Sequence, residues 1–348
     1  MINNAPLTDI IDDATYLAHR YDETSDAFRF LSVPRDVHRQ CTFITDEYLP
    51  NVEQYKAIAR SELAAASPQA APVHFIFHSA YCCSTMLARA FAIEGVSMGL
   101  KEPVVLNDMI GWRRRGADAA RQQHVLDQGL SLLSRPFGED RAVIIKPSNI
   151  CNPLAIEILR MRPDAKALLL YAPIEGFLKS IAKKEMWGRI WVRDVLIGTL
   201  KDGYAIGGFS HNELLQLTDL QVAAIGWLSQ HALFSKIIDT IGSDRVKTLD
   251  SETFLARSAE TIMALSNLYG LSLNQTEIDT VIQGPAFTSH SKLDQAKPGE
   301  VFDAKARDQE QQKVAEVHGA EIEMVATWTK AVADNLDIEI NLDPRLLD

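Results

Sequence analysis

Apolar positions along this chain fall into short runs of strand type, separated by longer stretches with helical spacing. The first strong run is Val73–Phe77, continuing to His78. Further strands are predicted at Val96–Leu100, Ala142–Ile145, Ala167–Tyr171 and Val246–Leu249. Between them lie helical patterns at Met86–Ile93, in a stretch running to about Leu133, at Leu154–Met161 and at Ile174–Lys184. Leu220, Ala223, Trp227, Phe234, Ile238 and Ile241 recur at helical spacing, with Gly242 as a C-terminal stop. Thr261–Leu268 forms a helix closed by Gly270, and Val314, Val317, Met324, Trp328 and Val332 mark an amphipathic C-terminal helix. Short apolar strands alternating with helices predict an α/β fold, a parallel sheet covered on both faces. Residues 1–70 read as a helical, polar extension ending in the Ala/Ser-rich linker Ser61–Ala71. Residues 73–300 read as the α/β domain, and 301–348 as a C-terminal helix packing on its core.

Composition narrows the classes of function. The 348 residues suffice for one large core, and 47% hydrophobic with 23% charged residues is ordinary globular usage. A net charge of -11 opposes general binding to nucleic acid or to an anionic membrane. An anionic ligand therefore needs a local cluster of donors. No apolar run reaches the roughly 18–20 residues of a membrane span. Met1 to Asp13 lacks the basic start and apolar stretch of a secretory signal, so a cytoplasmic location is expected. Cys41, Cys82, Cys83 and Cys151 include an adjacent pair and no C-x-x-C, which predicts neither a disulfide framework nor a metal site. Composition leaves the oligomeric state open.

The segment V-H-F-I-F-H-S-A-Y-C-C-S-T-M-L-A-R-A-F, Val73 to Phe91, carries the candidate chemistry. A buried strand runs into a short loop, His78–Thr85, and Ser84-Thr85 open a helix. That geometry aims unpaired backbone N–H groups at one point, where an anion is favoured. Ser84 and Thr85 add hydroxyl donors, although an isolated Ser at this position is also an ordinary helix cap. The loop is not G-x-x-x-x-G-K-[ST], because Cys83 stands where that motif needs lysine.

The same loop resembles the phosphosulfate loop of PAPS-dependent sulfotransferases, which typically ends S-G-T-T or S-G-S-T. Here C-C-S-T, Cys82–Thr85, takes that place, with Tyr81 where the family commonly has Lys or Arg and Cys83 where it has Gly. Further blocks follow in the family's order. They are R-A-V-I-I-K-P-S-N (Arg141–Asn149), R-P-D-A-K-A-L-L-L-Y-A-P (Arg162–Pro173), Ser180, and R-V-K-T-L-D-S-E-T-F-L with the helix ending Y-G-L (Arg245–Leu271). The resemblance spans roughly residues 73–271. It implies a P-loop-type parallel sheet, PAPS as co-substrate, no metal, and a small-molecule acceptor bearing a hydroxyl or amine. In the family an arginine and a serine grip the 3′-phosphate. Here Tyr171 stands at the arginine position, and Ser180 lies one residue further along than usual.

Sulfuryl transfer needs a base for the acceptor proton and donors for the departing phosphate oxygen. Glu102, in K-E-P after the second predicted strand of the domain, is the preferred base, and His78 is the alternative. Lys146, at the end of an apolar strand, is a candidate contact to phosphosulfate or to the leaving oxygen. The cofactor-binding set is Ser79, Ala80, Tyr81, Cys82, Cys83, Ser84, Thr85, Tyr171, Ser180 and Lys292. Lys179, Lys183, Lys184, Arg189 and Arg193 form a basic stretch that either replaces the missing arginine or is a solvated face. His74 and His231 read as packing residues. Two other functions fit the same sequence: a non-catalytic nucleotide or anion sensor, and a small-molecule kinase.

Overall fold

The computed structural model describes residues 2–63, 68–288 and 304–347. Two sheets form among them. A three-stranded antiparallel sheet, in the order β1-β2-β3, consists of β1 (Tyr16–Asp22), β2 (Ala27–Ser32) and β3 (Lys56–Ala59). The second sheet has five strands in the order β5-β6-β4-β7-β8. They are β4 (Val73–His78), β5 (Ser97–Lys101), β6 (Ala142–Lys146), β7 (Ala167–Tyr171) and β8 (Val246–Asp250). The expected parallel α/β sheet is therefore present, and every residue of β4, β5, β6 and β7 is buried. Strands buried on both faces explain why these segments read as unbroken apolar runs.

The N-terminal segment departs from the helical reading. Residues 16–32 form a hairpin, with Tyr21, Phe28, Phe30 and Leu31 in the core. The Asp22 carboxylate accepts from the backbone N–H of Thr24 and Ser25, and Asp26 takes a left-handed φ of 49°. An Asp side chain folded back on its own turn is a strong chain reverser. It outweighs the polar composition that suggested helix.

The described chain divides into two compact units. The first holds residues 2–77, 84–167 and 262–288; the second holds 78–83, 168–261 and 304–347. In the first unit β6 pairs with β4 through Val73↔Val143 to Phe75↔Ile145, and with β5 through Ser97↔Ala142 to Lys101↔Lys146. The helix after the loop runs Ser84–Ala90, shorter than expected, because a turn at Glu94–Gly95 follows with Gly95 at φ 73°. Gly99 lets that helix lie close to β5. A Cβ there would sit 1.9 Å from the Ala88 carbonyl oxygen.

In the second unit, the Asp219–Ile241 helix begins at a Thr218/Gln221 capping box and stops at Gly242, whose φ is 102°. Its Trp227 indole N–H donates to the Ala172 carbonyl at 2.8 Å, anchoring the helix to the end of β7. The C-terminal segment runs alongside β8. Thr248 N donates to Pro344 O, Leu346 N donates to Thr248 O, and the Thr248 hydroxyl donates to Leu342 O. No helix among the described residues is long and apolar enough to cross a membrane.

Candidate functional site

The loop Ser79–Cys83 belongs to the second unit. Ala80, Tyr81 and Cys83 all have left-handed backbones, with φ of 71°, 53° and 61°. A non-glycine residue held there costs roughly 1–3 kcal/mol, and such strain persists only where surrounding contacts enforce it. Those contacts are present. Ser79 N donates to Leu170 O at 3.0 Å, Ala172 N donates to the Ser79 hydroxyl at 3.3 Å, and the Cys82 thiol donates to Leu170 O at 3.4 Å. His78 Nδ1 accepts from Ala80 N at 3.1 Å, so this nitrogen orders the turn and carries no proton. The glycine-free C-C-S-T sequence thus keeps a left-handed turn at Cys83 instead of abandoning it.

Tyr81 points its ring into an aromatic group. Trp191 meets it edge-on at 5.3 Å and Phe177 lies at 6.1 Å. Burial pushes its hydroxyl pKa up. Ser84 and Thr85 open the next helix and are buried.

In the first unit the structure joins Glu102 to Lys146. Strand register places Lys101 beside Lys146, one residue before Glu102. Glu102 has φ 55°, and its backbone N–H donates to Lys146 O at 2.7 Å. The Lys146 ammonium, 1% exposed, forms an ion pair with the Glu102 carboxylate and lies 5.2 Å from the centre of the Phe43 ring. A buried ammonium requires such compensation, and both a carboxylate and a π-face supply it.

Lys101 is a buried cation that sequence reasoning passed over. Its ammonium donates to His38 O at 2.5 Å and Arg39 O at 3.1 Å, two carbonyls in the last turn of the Arg35–Gln40 helix. The partial negative charge of a helix C-terminus suits a cation. Even so, burial holds the Lys101 pKa down at about 8. The signal was available in K-E-P: a lysine ending an apolar strand, overshadowed by the neighbouring glutamate.

Tyr171 ends β7 in the second unit, with its ring edge-on to His231 at 4.9 Å. Burial, and after it the Asp250 charge, raise its hydroxyl pKa. It lines a cavity of about 480 Å³ shared with Glu175, Trp227, Asp250, Lys330 and Arg345. Lys330 and Arg345 lie in the C-terminal region that the sequence reading treated as packing alone. The Ser180 hydroxyl donates to Gly176 O at 2.9 Å within its own helix. In the basic stretch, Arg193 pairs with Asp219 at 2.7 Å, while Arg189 lies 3.7 Å from Asp219 and 3.6 Å from Glu321. His231 lies 3.6 Å from the Trp227 ring, and burial lowers its pKa to about 3, so it is a neutral core residue. His74 stacks on Tyr269 at 4.9 Å and accepts from Lys166 N. Lys292 lies outside the described residues.

Neither a protein-family model nor a curated protein matches this sequence. Among solved structures, the chain is similar to the sulfotransferase domain from the curacin biosynthetic pathway, at 12% identity and a TM-score of 0.39 over 72% of this chain and 99% of that one. It is also similar to a sulfotransferase from Alicyclobacillus acidocaldarius, at 14% identity and a TM-score of 0.38 over 76% and 97%. A third is the sulfotransferase domain from the Synechococcus PCC 7002 olefin synthase, at 10% identity and a TM-score of 0.37 over 73% and 98%.

Proposed function

We propose that this chain is a sulfotransferase-like transferase that takes a sulfuryl group from PAPS and passes it to a hydroxyl or amine of a small-molecule acceptor. One observation carries the reading. Three left-handed, non-glycine residues, Ala80, Tyr81 and Cys83, stand directly after the buried strand β4. Strain of this kind concentrates at ligand-binding turns, where it aims successive backbone N–H groups at an anion. In this reading residues 79–85 hold the phosphosulfate. Glu102 takes the acceptor proton, and Lys146 supplies positive charge for the departing oxygen. With Nδ1 committed to Ala80, His78 is the weaker choice of base. Lys330 and Arg345, which share a cavity with Tyr171, are the cations we assign to the position of the family arginine.

A second reading has its own support. Between His78 and Thr85 no residue is Lys, Arg, Asp or Glu, and Tyr81 spends its side chain on aromatic packing. That composition suits a nucleotide or anion sensor that binds without turnover. Thermal unfolding with PAP, PAPS, ATP and GTP tests both readings. PAP raises Tm more than ATP or GTP at equal concentration, and a ligand at about 100 times its Kd contributes ~2.7 kcal/mol. No shift with PAP in folded protein would remove both the transferase and the PAP-sensor readings. A larger shift with ATP, followed by phosphate transfer, would select a kinase.

A further inference from the structure

The end of the Arg35–Gln40 helix and the segment after it enclose a second cavity of about 480 Å³. Gln40, Cys41 and Thr42 line it from one stretch, and Glu47, Tyr48 and Pro50 from the next, all within the first compact unit. Small-ligand sites span roughly 300–1,000 Å³, so the space suffices for one small molecule. The second stretch is tied down. Asp46 accepts from His19 Nε2 at 2.6 Å and pairs with Arg20, while Tyr48 N and Leu49 N each donate to Thr45 O at 3.1 Å. The lining is therefore ordered before any ligand arrives, which lowers the cost of binding.

Two polar groups of this lining lack partners. Thr42 is 3% exposed, and its buried hydroxyl makes no hydrogen bond among the described residues. Leaving it so costs roughly 1–3 kcal/mol, and the contents of the cavity are the remaining source of a bond. Glu47 is exposed, and its carboxylate joins no ion pair or hydrogen bond among the described residues. Charge then narrows the ligand. No lysine or arginine is among the lining residues, so a carboxylate or phosphate would lose water without meeting a cation. A cation fits no better. The Cys41 thiol donates to His38 O at 3.4 Å, and the same carbonyl accepts from the Lys101 ammonium at 2.5 Å. That buried charge sets a positive field close to the Cys41 part of the lining, against a second cation. A neutral molecule with several hydroxyls remains. A carboxylate accepts from two hydroxyls, while an amide and a threonine hydroxyl each donate and accept.

We propose that this cavity binds a neutral sugar ring. Neighbouring hydroxyls of the sugar bond to Glu47 and Gln40, a further hydroxyl bonds to Thr42, and the C–H face of the ring packs on Tyr48 and Pro50. The site is built from the first unit alone and stands independently of the transferase reading.

The test uses the full chain, methyl β-glucopyranoside as probe, and calorimetry together with thermal unfolding as readouts. Wild type binds the glucoside. Thr42→Val keeps the side-chain shape and removes the unpartnered hydroxyl, so the free variant has a Tm equal to or above that of wild type while glucoside affinity falls about tenfold. Glu47→Gln, at an exposed position, lowers the affinity by a similar factor with Tm unchanged. Glu53→Gln, which alters another exposed carboxylate, changes neither quantity. Folded wild type that binds no glucoside, or an affinity equal to wild type in either Thr42→Val or Glu47→Gln, would overturn the proposal. So would n-butylamine, inorganic phosphate or glycerol binding as tightly as the glucoside, since these supply a cation, an anion and hydroxyls without a ring. A loss of Tm in Thr42→Val with affinity retained would show the hydroxyl bonded within the protein, and would overturn it as well.

Discussion

The ends of β5 and β6 and the loop after β4 are built from opposite materials. At the strand ends two ammonium groups are buried. Lys146 faces a carboxylate and a phenyl ring, while Lys101 donates to the carbonyls of a helix end. In the loop there is no charged side chain at all, and polar capacity resides in backbone amides held at left-handed φ. The strand ends concentrate formal charge and compensate it within the protein. The loop stores conformational strain, enforced by hydrogen bonds donated to the Leu170 carbonyl and by one that Ala172 N donates to Ser79. Proton transfer is a task for the first kind of region and holding an anion a task for the second. The variants below separate those tasks.

The largest effect is expected at Glu102. Glu102→Gln keeps the shape and an acceptor for the Lys146 ammonium but removes the proton-accepting carboxylate. Turnover, followed as PAP release from PAPS with a working acceptor, falls about 10²–10⁴-fold, while PAPS affinity changes little. Unchanged turnover would reduce the Glu102–Lys146 pair to a structural ion pair and break the division of labour.

Lys101 gives the next largest effect, and its sign follows from burial. Its pKa is pushed down to about 8 from an ordinary 10.5. Below pH 8 the folded and unfolded chains both hold the proton, and the desolvation cost is present in full. Between about pH 8 and 10.5 the folded chain releases it first, so the stability contributed by this residue rises with pH. Urea unfolding should show wild type gaining about 3 kcal/mol on Lys101→Met across that window. A flat difference would mean that the ammonium is not desolvated, and would remove half of the contrast between the strand ends and the loop.

The smallest effect belongs to the loop backbone. Cys83→Gly removes the clash between Cβ and the following carbonyl at φ 61°, and should raise stability by up to about 1 kcal/mol in thermal unfolding. A loss of stability instead would show that Cys83 packing outweighs its strain.

Much of the architecture was legible from the apolar pattern. β7 falls on the predicted residues, and β5, β6 and β8 fall within one residue of prediction at each end. Doubly buried strands have few alternatives. The N-terminal hairpin was not legible, because its hydrophobic face is short and its turn depends on one Asp folding back on the backbone. At the candidate site, Glu102, Lys146 and Cys83 were each visible as residues at odds with their surroundings. Lys101 was not distinguished from a surface lysine, since only the approach of the Arg35–Gln40 helix makes its burial tolerable. Lys330 and Arg345 were equally hidden, being more than 150 residues beyond the Tyr171 whose cavity they share.

The linear chain by itself determined the alternation of buried strands and helices, the loop at His78–Thr85, and the placement of lysine and glutamate at strand ends. These are local consequences of side-chain type and spacing, written in residues close together in the chain. The pairing of Glu102 with Lys146, the left-handed φ of Cys83, and the row Tyr81–Trp191–Trp187 arose only when distant segments packed. Each depends on where a second strand or helix comes to rest, and the free energy that enforces it comes from burial spread over the whole core rather than from the residues themselves.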